Sequence, residues 1–251
     1  MNRLDAIVYR LARATARRRG SRPALHPRGV VLTGRLTVPG PPPPWGVPWL
    51  DRPGSYRVTA RWSRAAGLPY PLPDGLGLAL RVEDAEGPGR PLELLLTTCG
   101  RSRPARHVPV LRLSATAGPY STLLGYAVGD RHGVVAAFPM PGTPGVPAHP
   151  GAVAAAVAVR PLRFVLGFAA DRRWEPMARL TLLGEEQAVA GEAFDPYRTP
   201  LTAFRPSGRL RGLRVAAYAG SREGRAGRRP GPIGTRDHGP DRDAGGEPGA
   251  R

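Results

Sequence analysis

Apolar and polar residues alternate along several short runs of this chain, and turns rich in glycine and proline separate the runs. In one run, Tyr56, Val58, Ala60 and Trp62 share one strand face, and the residues between them share the other. Six such runs predict strands at 28–38, 56–63, 76–82, 92–98, 133–138 and 178–183. Short connections with no room for crossover helices favour an antiparallel meander.

The remaining stretches have weaker patterns. Residues 152–169 suggest a hairpin that turns near Arg160-Pro161, although the apolar run 151–159 fits a buried strand or a short helix. Helices are expected at 108–124 and from 208 to about 219. The sequence therefore predicts a mainly β fold with few helices, an antiparallel eight-stranded β-barrel. A barrel of this size either holds one small ligand or is filled by side chains, and both alternatives stay open.

The two ends of the chain differ from its middle. Leu4, Ile7, Val8 and Leu11 have helical spacing with arginines on the other side, so 1–20 is expected to form an amphipathic helix. It either packs on the barrel or contacts a membrane surface. Residues 226–251 contain one large aliphatic residue, Ile233, and no aromatic residue, which predicts a disordered tail. The barrel domain is expected to span 21–225.

Composition narrows the class of protein. The net charge is +18, and all 37 basic residues are arginine. Alanine, glycine and proline are also abundant, so we interpret this charge as a solvated surface produced by biased codon usage. We therefore expect no specific nucleic-acid partner. A polyanion binder is the weaker alternative. Cys99 is the only cysteine, which excludes an intrachain disulfide and a cysteine zinc site. The sequence shows neither a secretory signal nor a run of about 20 apolar residues, so a cytoplasmic location is expected.

The candidate chemistry lies in three segments. His26 precedes the first predicted strand, and Arg61 and Ser63 share one face of the second. Arg214 and Tyr218 are four residues apart, so on a helix they share a face. We hypothesise that these segments converge on one buried pocket. The other histidines lack metal-binding spacing, and no phosphate loop or GxSxG motif is present.

The order of these signals resembles that of the haem catalase superfamily. The resemblance covers about residues 22–227, and because the chain is much shorter than a full catalase, a small, barrel-only relative is the appropriate comparison. The segments that carry it are His26-Pro27-Arg28-Gly29, Arg61-Trp62-Ser63, Gly77-Leu78-Ala79-Leu80-Arg81-Val82, Ala193-Phe194-Asp195-Pro196, and Arg214, Tyr218 and Arg225.

This resemblance implies a b-type haem. Tyr218 would be the proximal iron ligand, bound as a phenolate. Arg214 would favour the anionic form of that phenol through its fixed positive charge. Arg61 would pair with a haem propionate, and Arg225 belongs to the same cofactor-binding set.

On the distal side, His26 would act as the base that moves a peroxide proton, and Ser63 would hold its other ring nitrogen. Thr97 stands where the family has a distal asparagine, and 99–103 replaces the family's aromatic cluster. These departures argue against efficient dismutation of hydrogen peroxide. They leave open haem binding and a peroxidase- or peroxygenase-like oxidoreductase acting on a peroxide or a small organic hydroperoxide. The rival interpretation is a barrel that has lost haem and serves as a binding or scaffold module.

Overall fold

A computed structural model describes residues 28–40, 44–186, 194–197 and 200–208, together with residues 10, 212, 215, 216, 219, 220 and 223. The predicted N-terminal helix, apart from Arg10, and the tail at 226–251 lie outside the described residues. The strands are β1 (Arg28–Val38), β2 (Gly54–Arg64), β3 (Asp74–Val82), β4 (Leu92–Thr98), β5 (Leu111–Arg112), β6 (Tyr120–Ser121), β7 (Tyr126–Val128), β8 (Arg131–Pro139), β9 (Leu162–Ala169), β10 (Glu175–Glu185) and β11 (Phe204–Pro206). The helices are α1 (Pro150–Val159) and a 3-10 turn at Ala105–His107.

Eight of these strands close into a barrel. Their order is β8-β6-β4-β3-β2-β1-β10-β9, and β9 pairs again with β8 to complete the ring. Every pairing is antiparallel, while β7 and β11 extend the sheet beyond β8 and β5 pairs with the start of β3. The predicted mainly β fold, an antiparallel eight-stranded barrel, is confirmed.

Side chains fill the interior of the barrel. The inward positions of β2 are Val58, Ala60 and Trp62, each buried, as the alternation predicted. Deep in the core, the Trp62 indole Nε1–H donates to the Tyr120 hydroxyl at 3.0 Å. That hydroxyl donates in turn to the Ala115 carbonyl at 2.5 Å. A ligand therefore has to bind on another face.

The helix predicted at 108–124 is wrong. The chain there forms β5 and β6, and the preceding 3-10 turn ends at His107. Pro119 lacks the N–H group that the interior of a continuous helix requires. The Thr98 hydroxyl and backbone bind Val110 instead, which holds this segment against the end of β4.

The hairpin predicted at 152–169 is wrong in its first half, where the alternative, a short helix at 151–159, is confirmed. Residues Pro150–Val159 form α1, followed by β9 at Leu162–Ala169. The alanine content of this segment favours helix, and Pro150 occupies the first turn, where its missing N–H has no consequence. Arg160 ends the helix in extended conformation because Pro161 follows it. In the described part of the chain, no helix is long and apolar enough to cross a membrane.

One end of the barrel is closed by a buried ion pair. Arg64, the last residue of β2, lies 3.6 Å from Asp74, the first residue of β3 (Nε to Oδ2), and both side chains are buried. Arg64 also donates to the carbonyl groups of Leu68, Leu72 and Ala148. These bonds compensate the guanidinium for its lost hydration and attach the β2–β3 connection to the barrel.

We expect Tyr120→Phe to lower the free energy of unfolding by about 2 kcal/mol, because it leaves the buried Trp62 N–H and Ala115 carbonyl without a partner. Urea denaturation measures this loss. Tyr56→Phe is the matched control, since its hydroxyl, which donates to the Trp49 carbonyl, lies in a partly exposed region. An equal or smaller loss for Tyr120→Phe than for the control would contradict the importance of the buried bonds.

Candidate functional site

Small and hydroxyl-bearing residues form one row on the outer face of β1–β4. Strand pairing sets Gly29 opposite Ser63, Ser63 opposite Gly77, and Gly77 opposite Thr97. Directly paired residues of neighbouring strands project to the same side of a sheet. Because Trp62 and its alternate neighbours point inward, this row points outward. Ser63 and Thr97 therefore flank a strip in which Gly77 has no side chain.

The next row contains Arg61. It aligns Val31 with Arg61, Arg61 with Ala79, and Ala79 with Leu95. All four residues are half-buried. The two rows together form a shallow surface with a glycine and an alanine on β3, walled by Arg61 on one side and Leu95 on the other. We call this surface the outer face.

Gly29 is required by the way Arg61 packs. A Cβ atom at Gly29 would lie 2.9 Å from Arg61 Nη2 and 2.5 Å from the Trp62 carbonyl oxygen, distances that side chains do not adopt. Burial of the guanidinium lowers the pKa of Arg61 from its ordinary value. Glycine at this position thus allows Arg61 to lie flat against the start of β1.

A third row connects this face to a distant segment. Arg81 Nη2 lies 2.7 Å from Glu93 Oε1. The Arg81 guanidinium lies over the ring of Phe194, 5.3 Å from its centroid, and the Asp195 N–H donates to Glu93. The Phe194-Asp195-Pro196 segment singled out in the sequence therefore docks beside the rows that contain Arg61 and Ser63.

Three of the seven residues predicted for the site are brought to one face. Arg61, Ser63 and Thr97 all lie on the outer face, and Ser63 is only 3% exposed. The hydroxyl of Thr97 has no hydrogen-bond partner among the residues that the structure describes. His26, Arg214, Tyr218 and Arg225 lie outside the described residues, so their roles stay predictions.

The surroundings of these four residues are partly described. β1 begins at Arg28, which pairs with Arg64, the residue after Ser63. Near the other end of the chain, Val215, Ala216, Ala219 and Gly220 have helical backbone. Among the described residues, no group of three or more His, Cys, Asp or Glu side chains could hold a metal ion.

Sequence reasoning missed the part that glycine plays here. Gly77 begins the segment 77–82 that was singled out in the sequence, but its position between Ser63 and Thr97 depends on strand register. Pairing β2 with β3 from the turn residues between them would have shown it. Sequence reasoning also missed the Arg81–Glu93 pair. Opposite charges at directly paired positions of β3 and β4 could have indicated it.

The residues that follow β4 are buried and hydrogen-bonded, so they do not form an open pocket wall. Cys99 is buried, its thiol lies 3.7 Å from the Pro119 carbonyl, and burial raises the pKa of that thiol. Ser121, paired with Thr97, donates to the Arg106 carbonyl at 2.5 Å and accepts from the Leu123 N–H at 3.1 Å. These groups fix the edge of the outer face next to Thr97.

Comparison with known proteins gives a match at the level of structure alone. No protein-family model matches the chain, and no curated protein matches it in sequence. A fungal catalase superposes with a TM-score of 0.58 at 11% identity over 78% of this chain and 57% of its own.

Two further solved structures agree with this result. A bacterial catalase gives 0.60 at 12% identity over 89% and 64% of the two chains. Catalase A from Saccharomyces cerevisiae gives 0.57 at 10% identity over 79% and 59%. The chain thus spans 57–64% of the length of these catalases. At such low identity the likeness concerns the fold, and the chain has a catalase-like β-barrel.

Proposed function

We propose that the outer face of β1–β4 binds a b-type haem and that the protein is an oxidoreductase acting on an organic hydroperoxide. The observation that carries this proposal is the register of the sheet, which aligns Arg61, Ser63 and Thr97 on one face beside the docked Phe194-Asp195 segment. The catalase-like fold also supports this proposal.

The outer face suits a flat, largely apolar group with an anionic edge. Gly77 and Ala79 leave the centre of the face low, and Val31 and Leu95 offer apolar contact. Arg61 lies at the same level with a half-buried guanidinium, which suits a propionate. These residues, with Tyr218, Arg214 and Arg225, would hold the cofactor.

The haem, when bound, supplies the iron redox chemistry that cleaves the peroxide bond. Tyr218 would bind iron only as an anion, and the ordinary pKa of a tyrosine is near 10. Arg214, four residues earlier in the sequence, would lower that pKa by placing a fixed positive charge beside the phenolate. The proximal side of the proposal depends on these two residues.

On the distal side, His26 would take the proton from one hydroperoxide oxygen and return it to the other. In the sequence, His26 precedes Arg28, the first residue of β1, by two residues. Ser63 sits beside the start of β1, in register with Gly29. Its hydroxyl would bind the second ring nitrogen and set the tautomer.

Thr97 is the reason for preferring an organic hydroperoxide. Its hydroxyl donates a single hydrogen bond from a short side chain, and Gly77 beside it adds no bulk. This arrangement would orient a peroxide less strongly than an amide would, which argues against efficient dismutation of hydrogen peroxide. The alternative is a barrel without haem that serves as a binding module. The same departures from the catalase pattern, at Thr97 and at 99–103, support it.

Haem titration of the purified chain tests the proposal. The wild-type protein is expected to give a Soret band, and Tyr218→Phe to lose it while far-ultraviolet circular dichroism stays unchanged. Arg214→Ala is expected to bind haem more weakly at neutral pH than at high pH, because the proton competes for the phenolate oxygen and is lost as pH rises. A wild-type chain without a Soret band would favour the binding module, and full haem in Tyr218→Phe would refute the ligand assignment.

A steric variant tests which face binds. Ala79→Trp fills the centre of the outer face and is expected to weaken haem affinity by about tenfold or more, since the packed strand beneath cannot yield. Leu183→Trp is the matched control, because Leu183 is an exposed residue of β10, away from the row that contains Ala79. Equal haem affinity in both variants would exclude the outer face.

The distal hydroxyl is tested separately from haem binding. Thr97→Val keeps the side-chain shape and removes the donor, so haem content should stay unchanged while turnover of cumene hydroperoxide falls by about tenfold or more. His26→Ala should likewise retain haem and lose turnover. An unchanged rate in Thr97→Val, measured at matched haem content, would show that the hydroxyl does not contact the substrate.

A further inference from the structure

Exposed apolar side chains are concentrated at one end of the barrel. In the part of the chain that the structure describes, six of the nine large apolar residues with high exposure lie in two short segments, at 65–73 and 108–113. Their exposure ranges from 41% to 62%. The six are Leu68, Tyr70, Leu72, Val108, Leu111 and Leu113. We call these residues the apolar end.

The two segments lie side by side. β5 pairs with the start of β3, with Leu111 opposite Gly75 and Arg112 opposite Asp74. The Leu113 carbonyl accepts from the Ala148 N–H at 2.9 Å, and the Ala148 carbonyl accepts from Arg64. The same guanidinium binds the carbonyl groups of the 65–73 loop. One buried arginine therefore joins both halves of the apolar end.

Five of the six backbone N–H groups of the 65–73 loop donate to other groups of the protein. Asp74 accepts from the N–H groups of Ala66, Gly67 and Leu68 at 3.0, 3.0 and 3.1 Å. Ala65 donates to Gly75 and Leu72 to Pro69. The loop also contains three prolines, at positions 69, 71 and 73, which have no N–H.

Three carbonyl groups of this loop, those of Leu68, Pro69 and Leu72, also accept hydrogen bonds. Arg64 Nε donates to the Leu68 carbonyl at 2.9 Å and Nη2 to the Leu72 carbonyl at 2.5 Å. An exposed loop normally leaves such groups to water. A loop that enters the boundary of a lipid bilayer loses water, and each unsatisfied backbone group then costs free energy. The internal hydrogen bonds of the 65–73 loop reduce that cost.

The charges around the apolar end favour an anionic surface. The two segments contain one charged residue, Arg112, and the neighbouring Asp74 is buried beneath the loop. β1 starts at the same end, because Arg28 pairs with Arg64. The 27 residues that precede β1 contain seven arginines and one aspartate. The sequence that leads into β1 at this end therefore carries a net positive charge.

We propose that the apolar end docks on an anionic lipid bilayer, with Leu68, Tyr70, Leu72 and Leu111 at the boundary between headgroups and acyl chains. Shallow insertion of apolar side chains together with attraction of arginines to anionic lipids produces reversible surface binding. The proposal does not depend on haem, since it rests on the loop and on β5.

The test is co-sedimentation of the full chain with vesicles of phosphatidylcholine containing phosphatidylserine, compared with vesicles of phosphatidylcholine alone. Wild-type protein is expected to bind the anionic vesicles. The triple variant Leu68→Ser, Tyr70→Ser, Leu72→Ser should lose about tenfold or more in partition coefficient. The control pair Val159→Ser and Leu183→Ser removes exposed apolar residues elsewhere and should leave binding unchanged.

A labelled variant reports insertion directly. Cys99 is buried, so Tyr70→Cys provides the one accessible thiol among the described residues for an environment-sensitive dye. Its emission should shift to shorter wavelength on anionic vesicles. Binding that the triple variant retains and salt abolishes would overturn the proposal, because arginines alone would explain it. A wild-type dimer that ignores vesicles, and that the triple variant converts to a monomer, would overturn it in favour of self-association.

Discussion

Closure of the sheet is the constraint on which the other features of this structure depend. When β9 pairs with β8, each of the eight barrel strands has two neighbours, and each of their residues points to the inside or the outside of the ring. Leucine, tryptophan and tyrosine side chains fill the inside. Chemistry is therefore restricted to the outside and to the barrel ends, where polar residues of β2 and β4 project away from the core.

The position of the outer face follows from the inward or outward orientation of each residue in the barrel strands. Arg61 and Ser63 alternate with the buried residues of β2, so the core that stabilises the strand also determines where these two side chains point. Register then brings Thr97 from β4 to the same level, across a strand that contributes glycine. The Phe194-Asp195 segment, about a hundred residues later, is fixed to the neighbouring row by Arg81 and Glu93.

Alternation predicted the strands of the first half of the barrel closely, because each has one face in the core and one outside. It failed at 108–124, where Pro119 breaks an otherwise helical pattern, and at Pro150–Val159, where a run of alanine and valine carries no period that separates strand from helix. The barrel was predicted, but the register that closes the ring was beyond local reasoning, since α1 separates β8 from β9 along the chain and β10 contains an irregularity between Pro176 and Ala178. The alignment of Ser63, Gly77 and Thr97 required the same long-range information.

The buried pair of Arg64 and Asp74 has a consequence for local dynamics. The N–H groups of residues 66–68 donate to the Asp74 carboxylate. Two loop carbonyl groups accept hydrogen bonds from Arg64, which belongs to β2. Opening of the loop therefore uncovers a charge that the barrel end keeps out of water. The loop and the adjoining ends of β2 and β3 should open as one cooperative unit, so a surface loop acquires the slow hydrogen exchange of a core strand.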